Sequence, residues 1–326
     1  MSSAAIGVAD YLDFVEQEYL SGYIAGGGAT VKLLCPADDA VRVRLAGGLA
    51  GLGGDFAYAE VDAATTRIHL IDQIFTAIAR QLDWIELAQS VVRAALERAA
   101  FPAPAGVDVI DLATVARHHD VDAAELYRSV RRVLEQLVLR DTEMSHEFRV
   151  AMLRLCQEQL GRGDVSAAER ETVIGWLQGA KLPAADLRSV GLNARVNRYN
   201  ARPLLLSLTR WLRLAGRPCL VLRLDLERLA VTRRPPVGLR DGFYYAKAAT
   251  LDAYELVRQL IDAIDEIEGL FVAVQVPPDL IHDETRGLPA YSALHLRVAD
   301  EVRDRLRLNP YATLVRVSAT TVEEQQ

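Results

Sequence analysis

The residues with the most chemical content form one eight-residue run, Cys35-Pro36-Ala37-Asp38-Asp39-Ala40-Val41-Arg42. It follows the apolar stretch Thr30–Cys35 (TVKLLC) and precedes a helix-like segment near 40–50. Strand, short loop and helix in that order are the setting of a phosphate-binding loop, G-x-x-x-x-G-K-[ST]. There glycines let backbone N–H groups turn toward phosphate, the lysine meets the β- and γ-phosphates, and the hydroxyl holds Mg²⁺. Aligned from the end of the strand, every one of those positions is altered. Cys35 and Ala40 stand for the glycines, Val41 for the lysine and Arg42 for the hydroxyl residue. Alanine resists the glycine-only backbone angles of such a cradle, and valine brings no charge. Asp38 and Asp39 add negative charge where phosphate would sit, a short-range repulsion of about 1 kcal/mol or more. The run reads as a degenerate nucleotide loop, in which neither ATP nor Mg²⁺ is expected. A nonstandard loop is the alternative, with Lys32 or Arg42 replacing the lysine; Lys32 lies inside a buried strand, so Arg42 is the better placed.

Two further groups carry weight. Leu220–Asp225 (LVLRLD) is an apolar run ending in aspartate, as the Mg²⁺-side acid of a nucleotide hydrolase would be. A catalytic glutamate would follow at once, but position 226 is leucine and the next acid is Glu227. If the strand continues, that one-residue shift turns Glu227 to the face opposite position 226, where the glutamate would stand. The plain alternative is an exposed aspartate closing a strand. Residues 111–133 resemble a helix-turn-helix: Ala116, Val121 and Leu126 fall where two helices and their turn would pack, and Asp122 suits an N-cap. Arg128, Arg131 and Arg132 would then project toward DNA. Asp120 at the turn, where glycine is usual, and the acids Asp122 and Glu125 favour a plain helical hairpin. The histidines lack ligand spacing, no H-E-x-x-H or G-x-S-x-G occurs, and His118 and His119 are adjacent and so face apart on a helix. Neither metal nor nucleophilic catalysis has support.

These groups need a scaffold, and the rest of the 326 residues provides one. With 51% hydrophobic and 25% charged residues the chain is globular rather than disordered. No apolar run reaches the ~18–20 residues of a spanning helix, and the N-terminus carries acids where a signal peptide carries bases, so a cytoplasmic protein is expected. Cys35, Cys156 and Cys219 lie too far apart in sequence to suggest a disulfide framework or a zinc site. A net charge of −7 excludes indiscriminate coating of nucleic acid and leaves room only for a local basic patch. Arginine far outnumbers lysine, so arginine clusters carry less weight than usual. Helical spacing runs over 11–24 and ends at Gly26-Gly27-Gly28. A glycine-rich turn is expected over Gly47–Gly54, a strand over Phe56–Val61, and one or two long helices over 66–100. Residues 107–200 read as helical throughout, with no repeat. Strand patterns return at 218–224, 269–276 and 312–317, with an amphipathic helix over 251–267. Strand–helix alternation at both ends around a helical middle predicts an α/β parallel-sheet core with an all-helical insertion. The expected division is 1–100, the first half of the core; 101–200, the insertion; and 201–326, the second half.

The run Ile24–Leu34 (IAGGGATVKLL) resembles the approach to the phosphate loop in ATP-binding proteins of BREX-type phage-defence systems, which are P-loop NTPases of AAA-like or STAND grade. The similarity is stronger in 205–216 (LLSLTRWLRLAG), the strand ending at Asp225, 244–262 (YYAKAATLDAYELVRQLID), 268–274 (EGLFVAV) and 291–298 (YSALHLRV). It covers residues 20–60 and 200–317. The resemblance implies a P-loop fold and a phage-defence setting. Members that work carry an intact GxxGxGK[ST]-type loop and an Asp-Glu pair; this chain departs at both, which marks a pseudo-ATPase. In AAA-like rings an arginine from the region of Arg286 or Arg297 can reach a neighbour's γ-phosphate, so either is a candidate finger. The implied role is a silent structural or regulatory subunit. Its partner would be an active P-loop ATPase paralogue or a defence-system helicase or nuclease, in a homo- or hetero-oligomer. A DNA-binding adaptor using 111–133 is the further alternative.

Overall fold

The computed structural model describes residues 4–52, 56–104, 106, 110–239, 241–299 and 309–321. The chain divides into two compact units, one made of 1–78 together with 218–326 and the other of 79–217. The first unit begins with β1 (Ile6–Gly7), α1 (Val8–Phe14), β2 (Ala29–Pro36), α2 (Asp39–Gly51), β3 (Ala57–Asp62) and α3 (Ile71–Ala79). Then come the helices of the second unit: α4 (Trp84–Arg98), α5 (Leu112–His118), α6 (Ala123–Leu134), α7 (His146–Gln159), α8 (Ala167–Leu177), α9 (Ala184–Ser189) and α10 (Ala201–Leu214). The first unit resumes with β4 (Leu220–Asp225), α11 (Lys247–Asp262), β5 (Leu270–Gln275), α12 (Pro278–His282), α13 (Ser292–Ala299) and β6 (Leu314–Ser318).

The strands form one all-parallel sheet in the order β1-β6-β2-β5-β4-β3. Burial explains the order. β4 (LVLRLD) and β5 (LFVAVQ) are buried at every position, as interior strands covered on both faces must be, whereas β3 alternates and lies at an edge. From β2 the chain crosses to the β3 edge, steps back through β4 and β5, and then passes to the other side of β2 as β6. β2 is therefore the topological switch point, outside whose carboxyl end such folds form their crevice.

Helix α1 continues through π-type turns over Val15–Ile24, and its Tyr11, Val15, Leu20 and Ile24 join Val41, Leu45 and Leu49 of α2 against Phe271 and Val315 of the sheet. Gly28 leads into β2 beneath Tyr23, whose ring lies 2.5 Å from where a Cβ would stand. The glycine-rich stretch at 47–54 departs from its expected turn. Gly47, Gly48 and Gly51 belong to α2, and residues 53–55 lie outside the described residues. Gly48 serves packing instead, because a Cβ there would meet Leu12 Cδ1 of α1 at 2.1 Å.

In the second unit, aspartates cap the helices as their spacing demands. Asp83, Asp111 and Asp122 each accept two backbone N–H groups at the starts of α4, α5 and α6, and Ser166 with Glu169 closes a reciprocal capping box on α8. Among the described residues no helix is long and apolar enough to cross a membrane.

A collapsed phosphate loop and its arginine–carboxylate network

At the carboxyl end of β2 only Ala37 and Asp38 separate strand from helix. Cys35 and Pro36 are still paired in the sheet, and Ala37 donates its N–H to Val317 O at 2.8 Å. Asp38 is the N-cap of α2, its Oδ1 accepting the Val41 N–H at 2.8 Å. A carboxylate of the chain itself thus occupies a helix N-terminus of the kind that binds phosphate. Ala40 is exposed, while Val41 is 2% exposed and belongs to the hydrophobic core.

Arg42, one turn into α2, turns toward β4. Its Nη1 lies 3.1 Å from Asp225 Oδ2, and its Nε lies 2.9 Å from Glu227 Oε2 and 3.4 Å from Asp39 Oδ1. Strand β4 stops at Asp225, and a 3₁₀ turn over Glu227–Ala230 follows. Asp225, at the strand's last position, and Glu227, at the start of that turn, both reach the same guanidinium. Asp225, 2% exposed, is fully engaged: Oδ1 accepts the Glu227 N–H at 3.0 Å, and Oδ2 also accepts Arg223 Nη1 at 3.0 Å. Arg223 in turn donates to Gln275 Oε1 at 2.6 Å and to Glu60 Oε2 at 3.0 Å. These are register partners across the sheet, Asp225 with Gln275 and Arg223 with Glu60. Gln275 Nε2 donates back to Arg42 O at 3.4 Å.

Electrostatics follow the geometry. Burial opposes the charge on Arg42, but Asp225 and Glu227 outweigh it and hold the guanidinium above its ordinary value. Burial also raises the Glu227 carboxyl, with Asp225 and Asp39 adding to the rise and Arg42 counteracting it. A cavity of about 540 Å³ opens over this network, and Asp39, Asp62, Glu227, Asp241 and Asp279 line it together with Arg42 and Arg228. Arg228 is itself paired with Asp241 at 2.7 Å. Among the described residues no group of three or more His, Cys, Asp or Glu is arranged to hold a metal ion.

The other residues singled out in sequence lie elsewhere. Lys32 is 5% exposed and donates to Tyr311 O at 2.5 Å and Ala312 O at 3.2 Å, which ties it to the segment before β6. Arg286 is 9% exposed; its Nη2 donates to Tyr245 O (2.8 Å), Leu229 O (3.1 Å) and Thr250 Oγ1 (3.2 Å), the bonds of an internal strut. Arg297 lies at the surface and forks onto Asp262, with Nη2 at 2.8 Å from Oδ2. Arg128, Arg131 and Arg132 share the exposed face of α6, where Arg131 pairs with Glu135 at 3.1 Å. Residues 111–134 form two short helices joined by a turn: α5, a turn with Asp120 at φ +53°, and α6 capped by Asp122, with Ala116 and Leu126 buried. The three cysteines are buried and free.

Sequence reasoning passed over Arg223, Gln275 and Glu60. A signal for two of them was present: Arg223 and Gln275 are polar residues inside runs otherwise apolar enough to be fully buried, and such residues need partners.

A parallel sheet with a strand–helix junction at its switch point, and an acid closing the strand next but one to it, defines an α/β protein with a P-loop NTPase-like core. The chain belongs to the family described as BREX system ATP-binding protein BrxC/D, which matches residues 56–325. No curated protein and no solved structure matches the chain.

Proposed function

We propose that this chain is a catalytically silent P-loop-type, AAA-like subunit acting in BREX phage defence as the structural or regulatory partner of an active ATPase or nucleic-acid enzyme. The observation that carries the reading is the Arg42 guanidinium bonded to both Asp225 and Glu227. In a working site those acids would face Mg²⁺. Here a cation covalently part of the chain bonds both of them, at no cost in association entropy. A magnesium ion would have to displace it. The residues do not fit MgATP: among the described residues no lysine, serine or threonine lines the cavity, Asp38 caps the helix, and the cavity carries five carboxylates against two guanidiniums. Arg42 as a substitute lysine would first have to release both carboxylates. Of the two finger candidates, Arg297 is the one at the surface, and reaching a neighbour requires it to leave Asp262.

The test is affinity capture of the tagged chain from its native host after nuclease treatment, with mass spectrometry and mass photometry. The proposal expects stoichiometric recovery of a P-loop ATPase with an intact loop, or of a helicase or nuclease. Recovery of the chain alone, together with ATP turnover by the purified protein that falls in Arg42→Ala, contradicts it.

A further inference from the structure

A second cavity in the same unit has the opposite chemistry. It measures about 470 Å³ and lies between the segment after β3 and the segment leading into α11, with Arg67, His69, Arg234, Phe243, Tyr244 and Tyr245 in its lining. Among the described residues none of its lining is acidic. Its contrast with the carboxylate-rich cavity at the switch point makes a general surface effect of an acidic protein an insufficient account.

The cavity is built, not incidental. Phe243 is held through both backbone groups: its N–H donates to Ala64 O at 2.8 Å and its carbonyl accepts Arg228 Nε at 2.7 Å. Gly242 beside it passes so close to Ala64 that a Cβ would lie 2.8 Å from the Ala64 carbonyl oxygen. The Tyr245 hydroxyl donates toward Thr66 O (2.5 Å) and Ala63 O (2.9 Å) and accepts the Ile68 N–H (3.2 Å), which fixes the facing segment. On this frame the Arg67 guanidinium lies over the Phe243 ring, 5.0 Å from its centroid. Arg67 and Arg234 are both exposed, and Phe243 is 36% exposed.

A guanidinium laid over an aromatic ring is a flat, positively charged platform on which a base can stack, and a neighbouring arginine supplies the phosphate contact. We infer that this cavity binds a nucleotide unit, with the base on the Arg67–Phe243 platform and the phosphate held by Arg234. The unit is either part of a single strand or a free nucleotide. This inference does not rest on the silence of the switch-point pocket. A chain that hydrolysed ATP there would leave the test below unchanged.

The experiment is fluorescence anisotropy of a labelled oligothymidylate of about 12 nucleotides with the full chain at low salt. Saturable binding is expected, weakened about tenfold or more in an Arg67→Ala, Arg234→Ala double variant and about fivefold or more in Phe243→Leu. Circular dichroism of both variants should match that of the parent. Thymidine monophosphate then identifies the source. Displacement at concentrations similar to those of the strand marks a free-nucleotide site, and displacement only by an unlabelled strand marks a single-strand site; either result supports the inference. No binding, or binding indifferent to both pocket variants, overturns it. So does binding lost only when Arg128, Arg131 and Arg132 are changed to alanine.

Discussion

Replacing Asp225 by asparagine separates a structural acid from a catalytic one. The substitution keeps size and one acceptor oxygen but removes the charge shared by Arg42 and Arg223, whose Nη1 atoms lie 3.1 and 3.0 Å from Asp225 Oδ2. Removing one partner of a buried ion pair costs about 3–5 kcal/mol, because the remaining charge stays desolvated and unpaired. Arg42 is 27% exposed in its side chain and keeps Glu227 and Asp39, and Arg223 keeps Glu60 and Gln275. The lower end of that range therefore applies, about 3 kcal/mol. Arg42→Ala is milder, about 1–2 kcal/mol, because Asp225 retains Arg223 and the Glu227 N–H. The choice of probe matters. Trp84, Trp176 and Trp211, all three tryptophans of the chain, lie in the helical unit, so tryptophan fluorescence reports that unit and not the sheet. Urea unfolding should instead be followed by hydrogen exchange in peptides covering β4 and β5, with fluorescence as the reference for the other unit. The ordering Asp225→Asn below Arg42→Ala below the parent is expected. A catalytic acid kept at a cost to the fold would behave in the opposite way. Stability of Asp225→Asn equal to or above that of the parent would refute the reasoning.

Two other substitutions test the supporting frame. Hydrogen bonds from Arg258, with Tyr291 and Gln259 adding, pull the Glu255 carboxyl from 4.5 to about 2. A carboxylate depressed in the folded state contributes stability that is complete above its unfolded pKa and is lost as pH falls toward the folded one. Glu255→Gln should therefore flatten the acid-side loss of stability between about pH 4.5 and 2, measured by acid titration with circular dichroism; an unchanged acid limb contradicts this. Asp122→Ala removes the cap of α6, which accepts the Ala124 and Glu125 N–H groups at 3.0 Å. A loss of about 1 kcal/mol is expected in urea unfolding followed by tryptophan fluorescence.

The scaffold was legible where physics acts locally. β4 and β5 announce themselves as largely apolar runs, and the cap at Asp122 follows from an acid placed before a helical pattern. β1 was missed because two residues carry no periodicity; Ile6 and Gly7 become a strand only by pairing with Val317 and Ser318, over 300 positions away. Gly47 and Gly48 suggest a turn because glycine is ambiguous in sequence, and only the approach of Leu12 to Gly48 shows that closeness of two helices requires it there. At the site, the altered residues of the loop were plain, but their consequence was not. That Arg42 faces Asp225, 183 positions away, depends on the order of strands in the sheet. Glu227 lies two residues beyond Asp225, and only the position of Arg42 shows that the two acids serve one guanidinium.

The most direct test of the central claim is calorimetric titration of the purified full chain with ATP, with and without Mg²⁺. The arginine–carboxylate network predicts no saturable micromolar binding and no effect of Mg²⁺. Micromolar binding that requires Mg²⁺ and disappears in Asp225→Asn would contradict it.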